Sequence, residues 1–347
     1  MIKCWKPGGL SLSELGWNRP VEALAWQHGI LSPELIPPGV KTPIVGTVID
    51  PGEEAAWVAM TDVLKELREY DRAAPLPSER LVSHAKAILA GLARFHAFWE
   101  QPDRQELLEG KDWLLPFENY LWRNAATCAA ILKKDVVVRF SRVNSFTVES
   151  ELNIQAFLGW LEPSVRPIWE ELLVDRSRLV DRFTGLPYTL LHGDLDDRNI
   201  GLSWSPSGES ELVLIDWEWM GKGPAAMDVA KVFIYLPLLC EPTSPCPEAC
   251  WSIELLDDYY KNYRAAGGKR LDYDTWRRSY DLGLVAQALS PLPWVVGNIL
   301  RTLDGKAPLP EFPGLPEEVA RMLLASGMER IKRQMDSIVQ AMNRCCL

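Results

Sequence analysis

Residues 191–230 read LHGDLDDRNIGLSWSPSGESELVLIDWEWMGKGPAAMDVA, and the fold can be worked out from this stretch. Two short runs of strand-forming residues, Tyr188–Leu191 and Leu212–Ile215, each lead into a polar segment. A helical pattern resumes from Met227. The stretch therefore predicts two strands whose ends carry polar loops, followed by a helix.

Three polar residues of these loops are suited to holding a cation and moving a proton. Asp194 and Asp216 lie at or just after the ends of the two strands, and Asn199 lies between them. Hard oxygen donors from two loops suit a Mg²⁺ ion bound to phosphates, which keeps few protein ligands. A carboxylate that is not a ligand can accept a hydroxyl proton. Asp, Asn and Gly are also common turn residues, but their joint occurrence here favours a phosphoryl-transfer site.

The motif HGDxxxxN, the later IDxE and the closing Asp-Val-Ala resemble the catalytic core of the aminoglycoside phosphotransferase/choline kinase-like family, which has the protein-kinase-like fold. The resemblance implies that Asp194 is the catalytic base and that Asn199 and Asp216 bind Mg²⁺. It also implies that His192 supports the loop backbone and that Asp228 is a structural anchor beneath the site.

The same resemblance assigns residues to the nucleotide. Leu202 and Ile215 match apolar positions that line the adenine pocket in such enzymes. In kinase-like folds a strand lysine that grips the α- and β-phosphates pairs with a glutamate of the following helix, and Lys3 and Glu22 have a similar spacing. Glu218 stands where it could reach a second ion through water or lie in solvent.

The connector after the predicted hairpin is expected to be the hinge whose backbone binds adenine, with Met60 and Asp62 among its residues. The family's phosphate-covering loop should precede the lysine, but only Met1 and Ile2 stand before Lys3. We therefore expect a shortened chain, a different register, or a nucleotide held weakly without a lid.

The predicted fold is α+β, a protein-kinase-like arrangement of two lobes. Residues 1–62 are expected to form the nucleotide-binding lobe, without its first strands and phosphate loop, and residues 63–347 to form the helical lobe with the catalytic loop and the acceptor site. Three kinds of pattern support this prediction. A short helix is capped by Asn18 and ends near Gly29, and the runs Ile44–Ile49 and Trp57–Met60 form a hairpin. Two long helices follow, at Leu81–Trp99 and at Pro316–Arg344.

Composition narrows the class of protein. The 347 residues carry a formal net charge of −10, which argues against binding to nucleic acid or to anionic membranes. No apolar run spans a bilayer, and seven cysteines without a signal peptide indicate reduced thiols in the cytoplasm. The cluster Cys240, Cys246 and Cys250 lacks a nearby His, so structural zinc is disfavoured.

These observations predict a cytoplasmic kinase that moves the γ-phosphate of ATP or GTP to a hydroxyl of a small molecule with Mg²⁺, as a monomer or homodimer. Segment 191–220 holds seven acids and one arginine, which places much of the negative charge at the predicted cation site. The alternative is a pseudokinase-like binding or scaffold protein with little turnover. A hydrolase using Asp194 and His192 fits less well, because no Ser or Cys nucleophile occupies a strained elbow.

Overall fold

The computed structural model of the chain describes these residues: 2–5, 19–50, 55–63, 78–122, 128, 132, 144–196, 198–204, 209–235, 253–290, 292–309 and 317–347. The predicted cap Asn18 and the cysteines Cys240, Cys246 and Cys250 lie outside them.

Short strands and longer helices alternate irregularly along the described chain. The strands are β1 (Ile2–Trp5), β2 (Val40–Lys41), β3 (Ile44–Asp50), β4 (Ala55–Met60), β5 (Thr189–Leu191), β6 (Ile200–Trp204), β7 (Ser210–Leu214) and β8 (Gly221–Gly223). The helices are α1 (Val21–Gln27), α2 (Ser78–Trp99), α3 (Pro102–Leu108), α4 (Phe117–Trp122), α5 (Asn144–Trp160), α6 (Arg166–Val174), α7 (Ser177–Phe183), α8 (Ala226–Tyr235), α9 (Ile253–Ala265), α10 (Tyr273–Ala288), α11 (Leu292–Leu303) and α12 (Glu317–Arg344). This mixture confirms the predicted α+β class.

The N-terminal part is an antiparallel sheet in the order β1-β4-β3, with α1 packed against it. Lys3 stands opposite Val58 in the register of β1 and β4. Its neighbours Ile2 and Cys4 are exposed, whereas Lys3 is half-buried. Because side chains alternate along a strand, Lys3 lies on the opposite face from these two neighbours.

Two further sheets support the loops of the 191–230 stretch. One has the order β2-β7-β6, in which β2 runs parallel to β7, with Val40 opposite Leu212. The other pairs β5 with β8, with Leu191 opposite Gly221. The loop after β5 and the loop after β7 therefore emerge side by side above α8.

Helix α2 forms the centre of the helical part and packs against both α9 and β7. Its apolar stripe is buried as the sequence predicts, with Leu81, Ile88, Phe95 and Trp99 at most 2% exposed. Burying such side chains contributes about 1.5–3 kcal/mol each. The buried stripe therefore holds α2 against the strands whose loops carry the candidate site.

The structure corrects some predicted boundaries. The first helix begins at Val21 and ends at Gln27, and Pro20 is its N-cap with ψ near 67° instead of its first helical residue. Strand β7 ends at Leu214 rather than at the predicted Ile215. The backbone of Asp216 is left-handed, and this conformation is incompatible with an extended strand continuing through it. The predicted hairpin is confirmed as β3 and β4.

No single described helix is long and apolar enough to cross a membrane; one bent pair, α10 with α11, meets the length and composition requirement jointly.

Candidate active site

Asp228 holds the backbone of the loop that follows β5. Its two carboxylate oxygens accept hydrogen bonds from the backbone N–H groups of His192 at 2.8 Å and Gly193 at 3.0 Å. The side chain is 1% exposed and stands in the first turn of α8, where the helix dipole favours a negative charge. A carboxylate accepting two backbone donors in a buried site fixes the position of the loop.

A buried hydrogen-bond chain supports Asp228 from below. His96 of α2 lies with Nε2 3.3 Å from Asp228 Oδ2 and Nδ1 2.8 Å from the Tyr259 hydroxyl. His96 and Tyr259 are fully buried. Burial, followed by the charges of Asp228 and Glu100, raises the pKa of Tyr259 well above its usual value. The phenol therefore stays protonated and can donate to His96.

His192 joins the two loops of the site. Its Nδ1 accepts from the Asp194 backbone N–H at 3.3 Å, so Nε2 carries the proton and donates to the Ile215 carbonyl at 2.9 Å. The ring is fully buried and lies against Trp217. These two contacts tie the loop after β5 to the loop after β7, and the supporting role of His192 stays a prediction.

Gly193 is required by both conformation and space. Its φ is +82°, a region that L-residues rarely adopt. A Cβ at this position would collide with the Trp219 carbonyl oxygen and would come within 2.6 Å of the Tyr120 ring. The glycine therefore lets the loop pass close beneath the segment that follows Asp216.

Asp194 is held by two side chains. Its Oδ1 accepts from Lys231 Nζ at 2.9 Å, and its Oδ2 lies 3.3 Å from Asn199 Nδ2. Asn199 Nδ2 also donates to the Asp194 carbonyl at 2.9 Å. Because both atoms facing the amide are acceptors, the nitrogen must point at Asp194, and Asn199 Oδ1 is the atom left to face a cation.

Asp216 has a left-handed backbone, with φ 65° and ψ 63°. Such a conformation costs about 1 kcal/mol in a non-glycine residue and turns the chain sharply after β7. The Asp216 carboxylate accepts a hydrogen bond from Lys3 Nζ. The same ammonium lies 3.1 Å from Glu22 Oε2 and 3.9 Å from Glu218 Oε2.

The charged side chains around Lys3 change the pKa of Lys3 and of Glu218. Burial lowers the pKa of Lys3, but the charges of Glu22, Asp216 and Glu218 outweigh it, and the pKa is raised overall. Burial, and then the charge of Asp216, raises the pKa of Glu218 above its usual value. Lys3 is therefore a fixed cation, and Glu218 is a half-buried member of the cluster rather than a solvated surface acid.

The residues predicted to bind adenine occupy two edges of this region. Leu202 of β6 is buried, Ile215 is half-buried, and Met60 at the end of β4 is buried while Asp62 is exposed. The backbone N–H of Thr61 in the predicted hinge donates to the Pro43 carbonyl at 2.9 Å. A bound adenine would therefore use hinge groups other than that N–H.

The residues predicted to bind Mg²⁺ offer the right donor chemistry. Asn199 has one amide oxygen facing away from Asp194, and Asp216 has a carboxylate that is one-third exposed. Within the described part of the chain, no three His, Cys, Asp or Glu side chains converge as a metal site. Mg²⁺ keeps several water or phosphate ligands, so two protein donors fit it and a structural transition-metal site is not needed.

The sequence interpretation missed Lys231 as a member of the site. Asp228 and Lys231 are the charged residues of α8 and both are buried. Two charges one turn apart in an otherwise apolar helix are the signal that could have identified it.

Comparison with known proteins gives one family. The model of the "Phosphotransferase enzyme family" matches residues 22–282. No curated protein sequence matches the chain.

Several solved structures are similar at low identity. An aminoglycoside phosphotransferase from Alicyclobacillus acidocaldarius is 13% identical with a TM-score of 0.45, covering 99% of this chain and 86% of that one. A Plasmodium vivax ethanolamine kinase is 14% identical with a TM-score of 0.46, covering 96% and 74%. A macrolide 2'-phosphotransferase from Brachybacterium faecium is 14% identical with a TM-score of 0.41, covering 94% and 82%.

The family match includes Glu22, the loop carrying Asp194, the metal-ligand candidate Asp216 and the whole of α8. It spans most of the chain, and so this protein belongs to the phosphotransferase enzyme family.

Proposed function

We propose that the protein transfers the γ-phosphoryl group of ATP or GTP to a hydroxyl group of a small molecule, with Mg²⁺. The observation that carries the proposal is the meeting of Lys3, Glu22 and Asp216 at one point. These residues come from a strand, a helix and a loop that are separate in sequence. A phosphate-binding lysine held by a glutamate needs such an arrangement.

In this proposal each residue has one task. Asp194 orients the acceptor hydroxyl and takes its proton as the new O–P bond forms and the bond from the γ-phosphorus to the bridging oxygen breaks, its electron pair leaving with the nucleoside diphosphate. Asn199 and Asp216 would hold Mg²⁺, which supplies charge neutralisation on the phosphates. Lys3 would bind the phosphates while Glu22 holds its ammonium in place.

A first experiment measures nucleotide binding. Millimolar ATP or GTP with Mg²⁺ should raise the melting temperature of the protein by about 3 °C if the nucleotide is near ten times its Kd. Asp216→Ala should abolish this shift, whereas Asp103→Ala, at an exposed carboxylate of α3, should leave it intact. An unchanged melting temperature in wild type at all nucleotide concentrations would refute the proposal.

A second experiment measures transfer. The protein is incubated with Mg-ATP and a panel of hydroxyl acceptors, namely aminoglycosides, ethanolamine, choline and macrolides, and release of ADP is followed. Asp194→Ala should keep the nucleotide-dependent shift and lose about 10²–10⁴-fold in rate with any acceptor that reacts. Retained turnover in Asp194→Ala would overturn the assignment of the base.

One contact favours a second candidate function, a nucleotide-binding or scaffold protein with little turnover. The ammonium of Lys3 lies on the carboxylate of Asp216, the residue proposed to bind Mg²⁺. If that ion pair persists with nucleotide bound, ATP should raise the melting temperature equally with Mg²⁺ and with EDTA. A kinase requires a larger shift with Mg²⁺.

A further inference from the structure

Helix α8 presents two charged side chains to the catalytic loop from a single turn. Asp228 and Lys231 are 1% and 6% exposed, and the helix around them is apolar. Residues three apart lie on the same face of a helix. Both side chains therefore reach the loop above α8 rather than solvent.

The contacts of this turn follow the loop residue by residue. Asp228 accepts from the backbone N–H groups of His192 and Gly193, and Lys231 Nζ lies 2.9 Å from Asp194 Oδ1. One turn of α8 thus holds three consecutive residues of the loop. The first two contacts fix the backbone, and the third fixes the reacting side chain.

Burial of an ammonium group is costly unless a partner offsets it. The Lys231 side chain is only 8% exposed, and the Asp194 side chain is 17% exposed. The ammonium also lies 5.6 Å from the centre of the Tyr235 ring, a distance at which cation–π attraction contributes. An apolar side chain would fill this place without the cost of burying a charge, so the charge has its use in the contact with Asp194.

We propose that Lys231 is a positioning residue that holds the Asp194 carboxylate in one orientation for phosphoryl transfer, an inference that rests on the proposed function. The ammonium lies on Oδ1, and Oδ2, which is 3.3 Å from Asn199 Nδ2, is the oxygen that we assign to receive the acceptor proton. No covalent bond to Lys231 forms or breaks in the reaction. Its contribution is orientation, to which transfer rates are sensitive because a displacement of about 1 Å can cost about 100-fold.

The test compares three lysine variants with any acceptor that the wild type phosphorylates. Lys231→Met should lower kcat by about 100-fold while the KM for Mg-ATP changes by less than about threefold. Lys231→Arg should recover at least about tenfold of the loss, because its guanidinium can still hold the carboxylate. Lys86→Met, which breaks a 3.2 Å ion pair with Asp258 on the protein surface, should leave kcat unchanged. A kcat for Lys231→Met close to that of wild type would overturn the proposal.

A double-mutant cycle separates this proposal from the proposed function. If the wild type shows no nucleotide-dependent shift in melting temperature and phosphorylates nothing in the panel, the proposed function fails, and the melting temperatures of the variants decide whether Lys231 acts on Asp194. Lys231→Met alone should lower the melting temperature by about 2–4 °C, and by less than half as much in an Asp194→Asn background. Equal losses in both backgrounds would show that the two side chains are independent and would overturn the inference.

Discussion

The loop that carries Asp194 and the strand that carries Lys3 meet at one site, but they are held in opposite ways. The loop is fixed by hydrogen bonds from its backbone to Asp228, which is itself supported by His96 in the core. These groups are almost completely buried. Their geometry is therefore set by the fold and does not depend on a ligand.

The side chain of Lys3 is held by ion pairs and by a charge-assisted hydrogen bond to Asp216. Its side chain is 30% exposed and contacts Glu22, Asp216 and Glu218 through a single ammonium group. An ammonium can exchange one carboxylate for another anion, such as a phosphate, at little cost. The difference suggests that the catalytic loop is preorganised, whereas the phosphate side of the site is arranged to accept a change of partner.

The largest expected effect tests the fixed side. Asp228→Ala removes the acceptor for two backbone N–H groups and for His96 in a buried place, and we expect it to lower the free energy of unfolding by about 3 kcal/mol. Urea unfolding measures this change, with Asp304→Ala at an exposed carboxylate as the control. A loss below about 1 kcal/mol would mean that the loop is not anchored as described.

A smaller effect comes from the loop's glycine. Gly193→Ala should cost about 2 kcal/mol, because the added methyl group meets both an unfavourable φ and the Trp219 carbonyl. Gly185→Ala is a matched control, since Gly185 has nearly the same φ of +83° and open space around its Cβ position. The loss of unfolding free energy in Gly193→Ala beyond that in Gly185→Ala measures the steric contribution of the crowded site. Equal losses in the two variants would show that crowding contributes nothing.

A third change weakens the support beneath the loop. Tyr259→Phe leaves His96 Nδ1 without its donor and should cost about 1 kcal/mol at neutral pH. Because burial raises the pKa of Tyr259 in the folded state, the wild type keeps full stability below pH about 10 and loses stability above it, where the unfolded chain ionises. The gap between wild type and variant should therefore narrow in alkaline unfolding experiments. Tyr273→Phe removes a solvent-exposed hydrogen bond to Asp257 and should therefore produce a smaller loss than Tyr259→Phe.

The smallest effect on stability is expected for Lys3, whose ammonium group can exchange one anionic partner for another. Lys3→Met should change the free energy of unfolding by less than about 1 kcal/mol, because its pairs with Asp216 and Glu218 are partly solvent-accessible and the buried Glu22 keeps the Trp217 backbone N–H as a donor at 3.4 Å. The same change should abolish the melting shift expected with Mg-ATP. The control Lys306→Met removes an exposed ion pair with Asp304. It should change neither the free energy of unfolding nor the melting shift with Mg-ATP. A large loss of unfolding free energy in Lys3→Met would show that Lys3 is as firmly anchored in the fold as the loop that carries Asp194, which contradicts the contrast drawn above.

The two sides also differ in how far the sequence predicts them. The residues of the loop, from His192 to Asn199, form a contiguous motif, so their proximity follows from short-range geometry. Lys3 and Glu22 were paired by spacing, and the structure brings them within 3.1 Å, although their roles stay predictions. Lys231 was missed because the pattern of one helix does not reveal which loop it will face.

Other features depend on the tertiary structure. The parallel pairing of β2 with β7 joins residues that no local pattern relates, since β2 is only two residues long. The left-handed backbone of Asp216 occurs at a residue type that enters this region more readily than most L-residues, but no local pattern shows which aspartate will adopt it. The fold imposes both, through the packing of segments far apart in the chain.

The separation in sequence of these contacts has a consequence for folding. His192 and Asp228 are 36 positions apart, whereas Lys3 and Asp216 are 213 apart. Closing the larger loop costs more entropy, and contacts between distant residues form late. During synthesis, the strand that carries Lys3 emerges shortly before Glu22 but long before its other partners, Asp216 and Glu218. We therefore expect the anchored loop to form first and the nucleotide side to be completed last, so that binding of Mg-ATP would report the final step of maturation of this chain.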